Sequence, residues 1–307
     1  MLKIVLTLLM CCLVAPQLQA KKLYKYQDKQ GRWYYSDKPP KTKQKVEIRQ
    51  LKAGTKRHVW LEKRGDKKTP EYFVINNYHG PIEVEVSLVK ARNVDSNPQL
   101  PNRFVVPYGK SDTLFQMRGI NQYQSWSYSL QYTYMIGSPL AHHNEQTRYV
   151  PPFARNEQFQ ISQAFGGKFS HSDPQNLYAV DIPMPINTAI HAARAGLVME
   201  VNNDFIKGGA KQAYKSRANS IRILHDDGSM AIYAHLALEK AQVYPGLEVT
   251  EGQLIGYSGD TGFSTGPHLH FAIQLNKGMD LVSVPFKFTD SVGTVKIPQV
   301  GAWLTNR

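Results

Sequence analysis

From residue 69 onward the chain alternates, and this periodicity constrains the fold more than any other feature. In PIEVEVSLV, Ile82, Val84, Val86 and Leu88 fall on one face of an extended segment, with Glu83, Glu85 and Ser87 on the other. In SWSYSLQYTYM, Trp126, Tyr128, Leu130, Tyr132 and Tyr134 form one face, with Ser127, Ser129, Gln131 and Thr133 opposite. A period of two with β-branched and aromatic residues is that of half-buried antiparallel strands. From residue 154 the chain continues as short strands punctuated by glycine, with no amphipathic helical period. The expected class is all-β: a small β-sandwich-like domain followed by a C-terminal antiparallel β-sheet domain. The aromatic stripe at 126–134 suits a sandwich core, and it also suits a sugar-binding face.

A length of 307 residues allows two or three domains with real cores. The first twenty residues combine an early Lys3, an apolar run and a small residue at Ala20. This is the layout of a signal peptide, with Leu18 an imperfect match to the residue expected before cleavage. The run is short for a full membrane span, and no other stretch would cross a bilayer. Cys11 and Cys12 both lie in this segment, so the expected mature chain has no disulfide or thiolate chemistry. Met10 and the apolar residues after Cys11 argue against a lipid-modified cysteine.

The net charge is +13, and it is localised. Residues 21–68 hold 17 basic and 5 acidic side chains, whereas residues 69–307 are balanced at 19 each. A basic block favours anionic polymers or lipid surfaces. Export argues against nucleic acid and leaves envelope polymers and anionic lipids, or a merely solvated linker. The expected layout is a signal peptide at 1–20, a small basic hairpin module at 21–48, a basic linker at 49–68, a β-sandwich-like domain at 69–150, a C-terminal β-sheet domain at 151–290 and a tail at 291–307. Within the hairpin module, Tyr24, Tyr26, Trp33 and Tyr35 flank a turn at DKQGR. It resembles a short Y-K-W-x-D-x-x-G module of proteobacterial envelope proteins, which implies location but no activity.

Chemistry concentrates in three segments. In HLHFAIQL, Leu269, Phe271, Ile273 and Leu275 form an apolar face, and His268, His270, Ala272 and Gln274 form the other. Both imidazoles thus project from the same side of a well-packed strand. Alone, H-x-H is weak evidence of function. In SMAIYAHLAL, a hairpin turn at Asp226-Asp227-Gly228 delivers His235 from a strand end. In FSHSDPQNLYAVD, His171 sits in a polar loop and Asp181 ends a short apolar run. A carboxylate and two imidazoles can hold a zinc ion with a fourth position open to water.

Read in order, G-x-F-S-H, Y-A-V-D, A-A-R-A-G-L-V, Y-A-H-L and V-x-x-G-Q-x-I-G-x-S-G-x-T-G-x-S-T-G-P-H-L-H-F resemble the lysostaphin-type (LytM-like) zinc metallopeptidases. These hydrolyse peptide bonds in peptidoglycan. The resemblance runs from about residue 160 to 276. It implies an antiparallel β-sheet built on a duplicated hybrid motif and one zinc ion held by His171, Asp181 and His270. It also implies catalytic roles for His235 and His268. The usual H-x-x-x-D spacing is lengthened here by six residues, so His171 is the ligand most in question, with Asp173 as the fallback. Ala272 departs from a frequent Glu.

The implied function is a zinc endopeptidase acting on stem peptides or cross-bridges of peptidoglycan, in the periplasm or envelope of a Gram-negative bacterium. The alternative is an inactive relative that binds the wall and activates an amidase. Binding through the basic N-terminus and aromatic domain, and a general secreted protease, are further rivals. His191, His225 and the HHNE segment at 142–145 read as structural or surface groups. A sharper expectation for His142, His143 or Asn144 is that they block the zinc's open position.

Overall fold

A computed structural model describes residues 21–27, 33–36, 38–51 and 57–307. The chain divides into two compact units, 1–56 and 57–307. The expected signal peptide, and the turn expected at 28–32, lie outside the described residues.

In the first unit, Lys21–Gln27 is the central strand of a three-stranded antiparallel sheet. Trp33–Ser36 pairs on one side, with Tyr26 opposite Tyr34. Val46–Leu51 pairs on the other, with Tyr24 opposite Ile48. The expected linker at 49–68 is corrected by this strand and by a second, Val59–Arg64, which opens the other unit. No alternation marks this strand in the sequence: Val59 is buried, Trp60 and Leu61 are half-buried, and Glu62, Lys63 and Arg64 are exposed.

In the second unit, two sheets enclose one core. One runs Val59–Arg64, Glu71–Asn76, Phe115–Gly119, Val94–Asn97, with Gly109–Lys110 beside Glu71–Asn76. The other runs Ser127–Ile136, Ile82–Arg92, Asn102–Val106. Val74, Phe115 and Met117 from the first meet Ile82, Val84, Val86 and Val106 from the second. This is a sandwich. Trp126, Tyr128, Leu130 and Tyr132 pack against that core, as a core stripe would.

The larger sheet runs Val180–Pro183, His268–Asn276, Met230–Ala234, Ser220–Leu224, Gly196–Asn202, Glu248–Val249, all antiparallel. Leu281–Val284 shares the outer edge of His268–Asn276 with Val180–Pro183: the former pairs with residues 273–276, the latter with 268–271. Leu269, Phe271 and Ile273 are fully buried on one face, together with Tyr149, Phe153, Val198, Ile221, Ile223, Ala231, Tyr233 and Phe286. Each such large apolar side chain contributes about 1.5–3 kcal/mol through burial. Val150, Pro151 and Pro152, expected at a domain boundary, are buried beside this core.

The segment 291–307, expected as a tail, is part of the fold. Trp303–Thr305 pairs with Gln158–Gln160, Leu304 is buried in the main core, and Asn306 Nδ2 donates to the Phe153 carbonyl at 2.6 Å. A two-residue period too short to read from sequence closes the domain there.

The opposite face of the large sheet carries both histidines, and the register shows what shares it. Along His268–Asn276 it presents His268, His270, Ala272, Gln274 and Asn276; Met230 lies opposite Gln274, and Leu224 opposite Met230. Met199, Met230 and Leu224 join the sandwich core. The sandwich therefore covers one end of the face on which the imidazoles sit, and leaves the histidine end open.

Candidate metal centre

His171, Asp181 and His270 converge: one ligand atom from each lies within 4.8 Å of the others. Asp181 sits on Val180–Pro183 directly opposite His270, so backbone pairing fixes their separation. Its Oδ1 lies 3.2 Å from His171 Nε2 and 2.9 Å from His270 Nδ1. Zinc bonds to nitrogen and oxygen imply tetrahedral ligand–ligand distances of roughly 3.3–3.5 Å, close to these values. Oδ2 accepts from Gln163 Nε2 at 2.9 Å, which leaves Oδ1 as the oxygen that could hold a metal ion. The donor set of two imidazoles and a carboxylate fits zinc.

Each ring also has its other nitrogen occupied. His171 is fully buried, and its Nδ1 donates to the Ala164 carbonyl at 3.0 Å, leaving Nε2 toward Asp181. His270 is held at Nε2 by Asn176 Oδ1, 3.1 Å away, leaving Nδ1 toward Asp181. Such contacts select the tautomer and the ring orientation.

His235 and His268 stand beside this cluster. Their rings are 4.5 Å apart, and the His235 and His270 rings 5.8 Å. His268 Nδ1 donates to the Gly266 carbonyl at 2.8 Å, and Ser264 Oγ is 3.3 Å away. Its Nε2 faces Asp181 Oδ1 at 3.7 Å. His235 follows Met230–Ala234 in a left-handed backbone conformation, φ +64°. Such a conformation is uncommon for a non-glycine residue and breaks the strand's alternation at His235. His235 Nδ1 donates to the Thr261 carbonyl at 2.6 Å. Thr261 is itself fixed, since its hydroxyl bonds Leu236 O and receives Asn219 N. Both rings are therefore anchored at Nδ1, and His268 turns Nε2 to the metal cluster.

Gly259 allows these loops to close. It bridges His268, and a Cβ there would stand 2.5 Å from Ala237 N, a backbone atom that cannot yield. The glycine is required by close approach beside His235.

The electrostatics follow from burial. Burial resists ionisation of Asp181, but hydrogen bonds from His171 and His270 and the neighbouring imidazole charge outweigh it and hold the carboxyl well below the usual range. Burial works against protonation of His171, yet the Asp181 carboxylate more than compensates and raises its pKa. Burial, then repulsion from His268 and His270, pushes His235 down to about 3, so its ring is neutral at ordinary pH.

Asp173, the fallback ligand, is outside the cluster and instead accepts from Asn176 Nδ2 at 3.0 and 3.2 Å. The HHNE segment is not brought to the cluster: His142 is exposed, and His143 Nε2 bonds the Pro285 carbonyl at 3.1 Å. His191 bonds Gly252 O, and His225 is buried against Ala195 O. Gln163, Asn176 and Asn219 are site residues that the sequence motifs did not single out.

Residues 175–281 match Peptidase family M23, and residues 10–56 match DUF4124, a domain of unknown function. The chain thus carries an M23 peptidase domain, and the match takes in Asp181, His235, His268 and His270 but begins after His171. It is 34% identical over 139 residues to lysostaphin of Staphylococcus simulans, covering 42% of this chain and 26% of that protein. To the glycyl-glycine endopeptidase ALE-1 of Staphylococcus capitis it is 35% identical over 120 residues, 38% of this chain and 30% of the relative. To the peptidoglycan DD-endopeptidase ShyA of Vibrio cholerae it is 34% identical over 114 residues, 34% and 24% respectively. The aligned part spans about a quarter to a third of these relatives. Among solved structures, the catalytic domain of lysostaphin from Staphylococcus simulans is 29% identical, covers 39% of this chain and 81% of its own, and has a TM-score of 0.28.

Proposed function

We propose that the protein is a zinc-dependent endopeptidase that hydrolyses peptide bonds of peptidoglycan. The observation that carries this reading is the convergence of His171, Asp181 and His270 with the two further imidazoles of His235 and His268 beside them. Relatives named as glycyl-glycine and DD-endopeptidases support the substrate class. A zinc ion held by the three ligands would supply an activated water and polarise the scissile carbonyl.

The chain's own groups do the rest. His235, neutral and anchored at Nδ1, keeps Nε2 free to take or return a proton. His268, anchored at Nδ1 by Gly266, directs Nε2 at the same space and can donate to the oxyanion once protonated. Beyond His270 the same face is closed, since Ala272 and Ala234 are buried with Ala179, so a peptide would approach from the His268 side. The sandwich, covering the far end of this face, would limit how far such a peptide extends. Substrate location calls for export, in keeping with the expected signal peptide. Residues 21–68 would add affinity for anionic envelope polymers or lipid through charge.

The test is digestion of purified peptidoglycan with and without a chelator, with fragments identified by mass. Peptide-bond cleavage that stops on chelation and returns with zinc is expected. A protein that holds zinc yet releases no peptide fragments would instead leave the amidase-activating alternative.

A further inference from the structure

Three of the four imidazoles at the site are held by backbone carbonyls: His171 by Ala164, His235 by Thr261 and His268 by Gly266. His270 is the exception. Its Nε2 meets a side chain, Asn176 Oδ1, at 3.1 Å. Asn176 lies in the stretch that lengthens the His171–Asp181 spacing. We infer that Asn176, backed by Asp173, is a positioning residue that sets the ring of His270 so that Nδ1 is the ligating atom.

The orientation of the Asn176 amide is determined by its surroundings. Its Nδ2 donates to both oxygens of Asp173, an acceptor-only group, so its Oδ1 must be the atom facing His270. An amide oxygen accepts and cannot donate, so His270 Nε2 carries the proton and Nδ1 carries the lone pair. That lone pair faces Asp181 Oδ1 at 2.9 Å. A ring flipped about its Cβ–Cγ bond would take Nε2 away from Asn176 Oδ1 and turn Nδ1 from Asp181.

The segment is built to hold this amide in place. Pro174 O accepts from Ser283 N and Oγ at 2.8 and 3.0 Å, and Gln175 O accepts from Gln274 Nε2 at 2.8 Å. Asn176 O accepts from Ala179 N at 2.8 Å, and Ser283 Oγ bonds Tyr178 N. Asn176 is thus fastened on both sides to the strands that bear His270 and its edge partner. The bland alternative is that Asn176 only staples this segment.

The inference rests on the metal-centre reading of His171, Asp181 and His270, and the experiment separates the two. Zinc affinity is measured by competition with a chromophoric chelator for the wild type, Asn176→Ala and the exchange Asp173→Asn with Asn176→Asp. The exchange keeps an acceptor against Nε2 and a donor–acceptor pair behind it. Asn176→Ala is expected to weaken zinc binding about 10- to 100-fold, and the exchange to restore most of it. Zinc binding by Asn176→Ala equal to wild type, or an exchange as weak as the alanine variant, overturns the inference. A wild type that binds no zinc overturns the metal reading instead. Should the alanine variant not fold, ¹⁵N spectra of the metal-free wild type decide: a protonated Nε2 on His270 is expected, and a protonated Nδ1 overturns it.

Discussion

Two buried carboxylates on one side of this molecule make an instructive pair. Asp181 and Glu83 both meet the polar face of the His268–Asn276 strand, one at each end. Glu83 Oε2 accepts from Asn276 Nδ2 at 2.9 Å and from Met279 N at 2.8 Å, two neutral donors with no surplus. Asp181 Oδ1 faces three imidazole nitrogens at 2.9, 3.2 and 3.7 Å, and each of those rings already gives a proton to an acceptor at its other nitrogen. At Glu83 the polar groups satisfy one another, and the result is an attachment point between sandwich and sheet. At Asp181 each ring, when neutral, turns a lone pair toward the carboxylate, a contact that only a further proton or a cation completes. The contrast separates a carboxylate satisfied by the fold from one placed to take a cation, without reference to motif.

The widest break in this comparison comes from the ligands. Asp181→Asn or His270→Ala is expected to remove zinc binding and bring peptidoglycan digestion to background, with the fold retained in far-ultraviolet circular dichroism. Metal analysis after gel filtration reads the first, mass spectrometry of the digest the second. Full digestion by His270→Ala would end the metal-centre reading.

Next come the two flanking imidazoles. His235→Ala and His268→Ala should each keep one zinc per chain yet lose about 10²–10⁴-fold in turnover, the range of a single acid–base group. The outcome against this is a variant that loses zinc and activity together, which would make its histidine a ligand. Because His235 is already neutral down to about pH 3, its protonation should not produce the acid limb of the activity profile.

How much of this was legible in the sequence depends on range. Period two assigned His268 and His270 to one face, because alternation along a strand needs no knowledge of the rest of the fold. It also paired Leu269 with Phe271 in the core, where both are fully buried. Glu83 was read as outward, and it is 4% exposed, because alternation says which face a residue takes but not whether a second layer covers it. Gln163 and Asn176 escaped notice for another reason. Each acts through a partner 18 or 94 positions away, across loops whose conformation no periodic pattern encodes. The strand Val59–Arg64 was hidden because its burial falls off along its length instead of alternating.

A third imidazole tests burial without ligation. His225 is 3% exposed, donates from Nδ1 to Ala195 O, and leaves Nε2 buried with no partner. Burial pushes its pKa from 6.5 down to about 4. Above pH 6.5 neither folded nor unfolded chain protonates it, so nothing is lost. As pH falls through 6.5 the unfolded chain takes up the proton and the folded one does not. Stability therefore declines until about pH 4, where the loss levels off at about 3 kcal/mol. Thermal melts of metal-free protein across this window should show a shallower decline for His225→Gln than for wild type. Parallel declines would remove His225 as the source.

The smallest effect sharpens the opening comparison most. Glu83→Gln keeps an oxygen that can accept from Asn276 and Met279 but removes the charge, so it should cost about 1 kcal/mol in denaturant unfolding. Zinc affinity and digestion by the folded protein should match wild type, because Glu83 and Asp181 share a sheet face but no hydrogen-bonded partner. The same charge removal at Asp181 should do the reverse: zinc binding is lost, and the metal-free fold gives up little, since Gln163 and the imidazoles can still bond an amide. If Glu83→Gln were to lower zinc affinity, the two ends of the face would be coupled. The sandwich would then be part of the metal centre's support rather than a cover over the other end of the groove.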